Sequence, residues 1–241
     1  MDRNFDGCSI NPKIKVLRPL NYDLAFSCKL FGWILIYSIE TPQKIHFFLF
    51  FSVLQATTNN ITNITRLTQP LTSLTELNLS NNPITDWNDV LSLSPGLPNL
   101  KILALNECLI KNIDFPESYA TIREGNVELK NSWFPSLTIL QLSSCKIDNW
   151  SSIEALNVLR GLSHFKFKLN PVLEKESRET CRQLIIAAIK SLTYLNGSLI
   201  ERQERVGAEV DFLKKYGKDY LSSKASTDPK QMESFLKRHP R

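Results

Sequence analysis

Residues 74–84 read LTELNLSNNPI, and the same phrase returns at residues 100–110 (LKILALNECLI), 137–147 (LTILQLSSCKI) and 162–172 (LSHFKFKLNPV). Each copy follows L-x-x-L-x-L-x-x-N/C-x-I, with phenylalanine and valine as substitutes only in the last copy. This pattern is the signature of leucine-rich repeats, which stack into solenoids. The sequence therefore predicts an α/β fold: a leucine-rich-repeat solenoid with a parallel concave β-sheet, a helical or irregular convex side and a helical C-terminal cap.

Alternation along the short strand of each copy separates a buried face from an outward one. The leucines or phenylalanines at the fourth and sixth positions point inward, and their neighbours point outward. The outward row changes from acidic and polar, through small and apolar, to basic; the lysine end suits an acidic partner, unless the lysines only solvate the edge. We expect this concave face to be the protein-binding surface, formed by Glu76, Asn78, Ser80, Ile102, Ala104, Asn106, Ile139, Gln141, Ser143, His164, Lys166 and Lys168.

The ninth position of each copy, occupied by Asn82, Cys108, Cys145 and Asn170, lies where the chain turns after the strand. A buried side chain there can hydrogen-bond backbone groups that are otherwise unpaired, so we expect a structural role for both cysteines. These positions are separated by 26, 37 and 25 residues. The long interval predicts an insertion within residues 111–135 that emerges from the solenoid without breaking the stack.

The chain divides into three predicted segments. Residues 1–55 are atypical, because 44–55 (KIHFFLFFSVLQ) is what a pyrimidine-rich splice-acceptor tract would encode, and we expect a poorly ordered or mis-spliced segment. Residues 56–200 form the leucine-rich-repeat domain with its cap. Residues 201–241 form a charged helix, a linker and a short terminal helix, with Val206, Val210 and Leu213 along one apolar stripe.

A weaker fifth copy crosses the first of these boundaries. Phe51, Leu54, Ala56, Asn59 and Ile61 occupy the repeat offsets, and residue 59 lies 23 residues before the ninth position of the next copy. Under the splicing hypothesis, the matches at residues 51 and 54 would be coincidental.

Charge and hydropathy narrow the class of function. The net charge of +5 is concentrated in residues 166–241, which carry 16 Lys+Arg against 10 Asp+Glu, whereas residues 1–165 carry 13 against 14. No row of aromatic residues interleaves with the basic ones on the strands, so we expect no nucleic-acid binding. The apolar stretch 24–39 is interrupted by Lys29 and falls short of the roughly 20 residues that a membrane helix needs.

Catalytic and metal-binding constellations are not expected. The five cysteines are widely spaced without a C-x-x-C pair, which fits a reducing compartment, and the three histidines are scattered. No nucleotide-binding, nucleophile-elbow or H-E-x-x-H motif occurs. Cys145 should face the turn while His164 faces outward, which argues against a Cys/His dyad. The sequence thus predicts a non-enzymatic protein with no catalytic residue, no cofactor and no metal ligand.

The C-terminal third carries a more specific resemblance. Four blocks closely resemble the tubulin-folding cofactor E (tubulin-specific chaperone E) family in order and spacing: 182–189 (RQLIIAAI), 192–196 (LTYLN), 204–212 (ERVGAEVDF) and 235–241 (FLKRHPR). The resemblance covers residues 59–241, and its most specific pieces are AEVD at 208–211 and HPR at 239–241.

The resemblance implies a cytoplasmic, cytoskeleton-associated chaperone that binds α-tubulin through its repeats. Other tubulin-folding cofactors would be its partners in assembling or dismantling the tubulin heterodimer, and it would be a monomer outside those complexes. Family members also carry CAP-Gly and ubiquitin-like domains, which are not recognisable in these 241 residues. The alternative is a general intracellular leucine-rich-repeat scaffold, such as a phosphatase-regulatory or cytoskeletal adaptor.

Overall fold

The computed structural model describes residues 52–64, 66–67, 69–116, 119–123, 126–130 and 133–225. Within these ranges, seven short strands form one sheet in the spatial order β1-β2-β3-β6-β7-β8-β9. Strands β1 to β8 of this sheet pair in parallel, and β9 pairs antiparallel with β8. The strands are β1 (Val53–Gln55), β2 (Glu76–Asn78), β3 (Ile102–Ala104), β6 (Ile139–Gln141), β7 (His164–Lys166), β8 (Tyr194–Leu195) and β9 (Ser198–Leu199).

One inward position is repeated across the whole sheet. The residues that share it pair in register from strand to strand and are at most 4% exposed: Leu54, Leu77, Leu103, Leu140, Phe165 and Leu195. Burying each such side chain is worth about 1.5 to 3 kcal/mol, and only the stacking of neighbouring repeats makes the burial complete. The leucine-rich-repeat solenoid predicted from the sequence is confirmed.

The convex side is made of short helices and turns. Helix α1 (Trp87–Ser92) is followed by a 3-10 turn, Ser94–Gly96, and α2 (Ser151–Ala155) is followed by Leu156–Val158. A further 3-10 turn, Pro171–Lys175, follows β7. Each element is too short to bury a face alone, so all of them depend on the sheet beneath.

The predicted insertion is a β-hairpin. Strands β4 (Tyr119–Arg123) and β5 (Asn126–Lys130) pair antiparallel outside the main sheet. The strands on either side of the insertion, β3 and β6, still pair directly and in register. The insertion therefore leaves the stack intact, as the spacing of the repeats predicts.

Among the described residues, the first strand of the sheet belongs to the weak fifth copy. Strand β1 pairs with β2, which places Leu54 opposite Leu77 in the core. The match at residue 54 is therefore structural and not coincidental, and the first strand starts three residues before the segment boundary placed at residue 56. The expectations for residues 1–51, including the match at Phe51, lie outside the described residues.

Two helices cover the C-terminal end of the core. Helix α3 (Arg178–Ala188) begins at Ser177, whose hydroxyl accepts a hydrogen bond from the backbone N–H of Thr180. Helix α4 (Arg202–Ala225) lies against it, and Arg205 donates from Nη1 to the carbonyl of Ile186, 3.0 Å away, and from Nη2 to that of Leu192. The arginine thus satisfies one carbonyl group in the last turn of α3 and one in the segment that follows the helix.

Helix α4 is held in place by an ion pair and by a small buried side chain more than by an apolar stripe. Arg182 donates from Nε to Glu204 at 2.5 Å, and Ala208 is buried where the helix meets the cap. The stripe predicted from the sequence faces solvent instead, since Val206, Val210 and Leu213 are 53%, 42% and 65% exposed. The short terminal helix predicted within residues 201–241 lies beyond residue 225, outside the described residues.

Candidate partner-binding surface

The sheet places the twelve predicted surface residues in three rows that run across the strands. Glu76, Ile102, Ile139 and His164 occupy one register position, and Asn78, Ala104, Gln141 and Lys166 occupy the next but one. A third row of Ser80, Asn106, Ser143 and Lys168 follows directly beyond the strand ends. Eleven of the twelve side chains are exposed or half-buried; Ala104 is the exception, because its methyl group is covered by its neighbours and is only 5% exposed.

The N-terminal end of this surface is a polar network. Gln55 donates from Nε2 to Oε1 of Glu76 at 3.2 Å and accepts at its Oε1 from Nδ2 of Asn78 at 2.8 Å. Asn78 accepts in turn from the backbone N–H of Ser80 at 3.0 Å. Because each amide uses both its donor and its acceptor, the side chains hold one another in fixed orientations.

The middle of the surface joins an apolar pair to a second polar network. Ile102 and Ile139 lie opposite each other in the register and are half-buried. Asn106 donates from Nδ2 to Oε1 of Gln141 at 3.2 Å and accepts at Oδ1 from the backbone N–H of Ser143 at 3.0 Å. This region offers shape and hydrogen bonds but no net charge.

The C-terminal end is basic and aromatic. The rings of His164 and Tyr194 stack with centroids 4.5 Å apart and an interplanar angle of 9°, and Nδ1 of the histidine lies 2.8 Å from the hydroxyl oxygen of Ser163. Lys166 and Lys168 follow His164 at two-residue intervals and are both exposed. The charge gradient predicted along the concave face is therefore present in the surface itself.

An asparagine closes the edge of the sheet beside the lysines. Strand β8 has only two residues and pairs only with His164 and Phe165. The backbone that follows these two residues therefore has no neighbouring strand on this side. Asn196 fills that place, because its Oδ1 accepts from the backbone N–H of Phe167 at 2.8 Å and its Nδ2 donates to the carbonyl of Phe167 at 3.1 Å. The edge is thereby blunted against pairing with an added strand.

The ninth-position side chains serve the fold, as predicted. Asn82 donates to the carbonyls of Ala56 and Leu79, and Cys108 donates from Sγ to Leu79 at 3.6 Å. Cys145 donates to the carbonyl of Leu105 at 3.2 Å. Burial raises the pKa of the Cys108 thiol to about 12 and that of Cys145 to about 11, which keeps both thiols protonated at neutral pH.

No group of histidine, cysteine and carboxylate side chains in the described ranges could hold a metal ion. Cys145 and His164 have separate partners, the first a buried carbonyl and the second a serine hydroxyl and a tyrosine ring. Among those same ranges there is no helix with the length and apolar character that crossing a bilayer requires.

Two residues of the surface, Gln55 and Tyr194, are not predicted by the sequence pattern. Gln55 had been assigned to the atypical segment, although it stands 23 residues before Asn78, as residue 59 stands before residue 82. Tyr194 was not among the predicted surface residues, although LTYL at 192–195 matches LSHF at 162–165 and places the tyrosine in register with His164. In both cases the signal was the repeat offset, which the degenerate neighbouring residues obscured.

A polar cleft of about 740 Å³ lies on the opposite side of the solenoid. It is bounded by the starts of α1 and α2 and by residues 109–114, where the second repeat carries the inserted hairpin instead of a convex helix. Asn149 donates from Nδ2 to Oδ1 of Asn112 across it at 2.7 Å. The cleft is thus a gap in the convex layer, separate from the concave surface.

A family model of leucine-rich repeats agrees with this architecture. Residues 72–118 match a family model described as leucine-rich repeats in two copies. In the solved structure of the Drosophila melanogaster SNF/U2A' complex, a matching chain is 20% identical with a TM-score of 0.44, over 76% of this chain and 80% of that one. Fold and surface together define the class: the chain is a leucine-rich-repeat protein.

Sequence relatives narrow the class further. Tubulin-specific chaperone E from Bos taurus is 36% identical over 187 residues, which are 76% of this chain and 34% of the bovine protein. Tubulin-folding cofactor E from Arabidopsis thaliana is 32% identical over 146 residues, or 61% of this chain and 27% of the plant protein. The chain is therefore homologous to the tubulin-specific chaperones E, in their leucine-rich-repeat region, and spans about a third of the length of these curated relatives.

Proposed function

We propose that this chain is a non-enzymatic chaperone module that binds α-tubulin on its concave surface and acts with other tubulin-folding cofactors on the tubulin heterodimer. The observation that supports the proposal best is the homology to tubulin-specific chaperones E over three quarters of the chain. A second support is that polar side chains of neighbouring repeats on this surface are held by hydrogen bonds to one another. Such pre-organisation lowers the entropic cost of docking a protein partner.

The same proposal places the chain in the cytoplasm, in association with the cytoskeleton, and as a monomer outside its complexes. Among the described residues, the buried thiols of Cys108 and Cys145 stay protonated and form no disulfide, which suits a reducing compartment. The leucine-rich-repeat fold and the chaperone relatives suggest a protein without catalytic activity.

A pull-down tests this proposal. The full 241-residue chain is immobilised and exposed to purified α/β-tubulin, and bound α-tubulin is quantified against a variant with Ile102→Glu and Ile139→Glu in the centre of the surface. We expect retention by the wild-type chain and a loss of tenfold or more in the variant. Circular dichroism of both proteins is measured to check that the two half-buried substitutions leave the fold intact. Equal retention by both proteins would contradict concave docking, and no retention by either would favour the general scaffold.

A further inference from the structure

The last repeat presents three exposed side chains that the fold itself does not use. Lys166 and Lys168 make no ion pair among the described residues, in which salt bridges join only Arg182 to Glu204 and Lys214 to Asp211. Leu169 is 81% exposed. Two unpaired cations beside a solvated leucine form a patch whose charge and apolar character suit an acidic partner with an apolar side chain.

The backbone conformation of Leu169 also distinguishes the last repeat from the others. In each repeat the residue before the ninth position adopts a left-handed conformation: Thr58, Asn81, Glu107, Ser144 and Leu169 have φ between 53° and 59°. The first four are polar residues, which suits an exposed turn. A leucine costs roughly 1 kcal/mol or more in this conformation, and little of its side chain is buried here. The turn therefore holds an apolar side chain outward at a site where the other repeats carry polar ones.

The neighbours of the lysines leave their charges uncompensated. On the β6 side stand Gln141 and Ser143, and on the other side stands Asn196, all of them neutral. Residues 164, 166 and 168 repeat at two-residue intervals along the strand and just beyond it, which places the Cα atoms of the two lysines roughly 7 Å apart. Alternate carboxylates of an extended peptide have the same spacing.

We propose that the surface formed by His164, Lys166, Lys168, Leu169 and Tyr194 docks an acidic, extended peptide segment that carries an apolar residue. The lysines pair with alternate carboxylates, and Leu169 receives the apolar side chain at the rim. Recognition proceeds through side chains and not by strand addition, because Asn196 already occupies the hydrogen-bonding groups of Phe167. The inference deepens the proposed function, on which it rests for the identity of the partner, since it assigns this end of the surface to an acidic segment of α-tubulin.

A peptide is favoured over a nucleic acid by the arrangement of the aromatic rings. His164 and Tyr194 stack on each other, so each has one face already covered and they form no open platform for successive bases. The exposed leucine also suits an apolar side chain better than a phosphate backbone.

Fluorescence anisotropy of a labelled peptide, EEEELEEEE, tests the proposal with the full chain. We expect saturable binding that weakens when NaCl is raised from about 50 mM to about 300 mM, because exposed charge pairs are screened over about 8 Å at physiological salt. The double variant Lys166→Gln/Lys168→Gln should bind about fivefold more weakly or worse. The matched control Lys146→Gln/Lys190→Gln removes the same net charge from exposed positions off the concave strands and should stay within about twofold of wild type.

Three results would overturn the inference: no saturable peptide binding, equal losses in the two double variants, or tighter binding of an oligothymidylate of similar length through the same lysines. The α-tubulin pull-down on the same proteins separates this inference from the proposed function. If tubulin is retained equally by wild type and Lys166→Gln/Lys168→Gln, the proposed function stands and the inference fails. If the peptide binds through the lysines but tubulin is not retained, the acidic-peptide site stands and the proposed function fails.

Discussion

The side-chain amide of Asn82 donates from Nδ2 to the backbone carbonyl of Ala56, 2.9 Å away in the preceding repeat. Its Oδ1 accepts from the backbone N–H groups of Asn59 at 2.9 Å and Ile61 at 3.1 Å, and the side chain is 2% exposed. One asparagine therefore satisfies backbone groups of two successive repeats, and its loss leaves several of them buried without a partner.

Replacing this asparagine should destabilise the solenoid strongly. We expect Asn82→Ala to lower the free energy of unfolding by about 3 kcal/mol, because unpaired buried groups cost about 1 to 3 kcal/mol each. Urea denaturation of the full chain measures the change. Asn99→Ala is the control, since Asn99 is exposed and donates to a single carbonyl, that of Thr72. Similar losses in the two variants would contradict the assigned role.

The same bonds show why the repeats could be predicted from sequence and parts of the surface could not. The inward leucines and the ninth-position residues recur at a fixed offset, so periodicity alone assigns their place. Gln55 lies in the first described strand and Tyr194 lies in the strand beside the C-terminal cap, and the residues around both depart from the repeat pattern. The hairpin β4–β5 has no counterpart in other repeats, and therefore only its position followed from the spacing.

The cap was the hardest part to predict, because its packing does not follow the apolar pattern. Val206, Val210 and Leu213 have helical spacing, yet the helix docks through Ala208 and through hydrogen bonds of Arg182 and Arg205. Periodicity assumes that the apolar face of a helix is the buried one. In α4 that assumption is wrong, since arginine bonds to carbonyls decide its orientation.

Chemical modification checks the structural role of the cysteines. Iodoacetamide reacts with thiolates, and burial both covers Cys108 and Cys145 and raises their pKa to about 12 and about 11. At pH 8 we expect neither residue to be alkylated in the native chain within a time that modifies both in denaturing urea. Mass spectrometry of the peptides reports each site separately. Comparable native and unfolded rates would show that these thiols are accessible and would refute their place in the core.

Glu154 predicts a pH dependence of stability. Its side chain is buried on α2, and desolvation raises the pKa of the carboxyl from 4.5 to about 8. Below pH 4.5 the carboxyl is protonated in both states and the fold is not penalised. As the pH rises towards 8, the unfolded chain gains from ionisation and the folded chain does not, so the free energy of unfolding falls, by on the order of 3 kcal/mol at pH 7.

The variant Glu154→Gln should remove that dependence. We expect the difference in the free energy of unfolding, variant minus wild type, to increase by a few kcal/mol between pH 4 and pH 8. The measurement that matters is this change with pH and not the difference at any single pH. Glu174→Gln, at an exposed position, serves as the control and should show no such trend. Parallel pH curves for wild type and Glu154→Gln would mean that the carboxyl ionises freely in the folded chain.

We expect Leu169 to lower the free energy of unfolding and to strengthen peptide binding. Asparagine tolerates the left-handed conformation better than leucine does, so Leu169→Asn should raise the free energy of unfolding by about 0.5 to 1 kcal/mol while removing the apolar contact. Binding of EEEELEEEE should weaken about threefold or more, whereas EEEEQEEEE should bind wild type and variant alike. Ser144→Asn occupies the same turn position one repeat earlier, with φ 58°, and should gain stability without losing binding. If Leu169→Asn becomes more stable and still binds the leucine peptide as wild type does, the exposed leucine has no part in recognition.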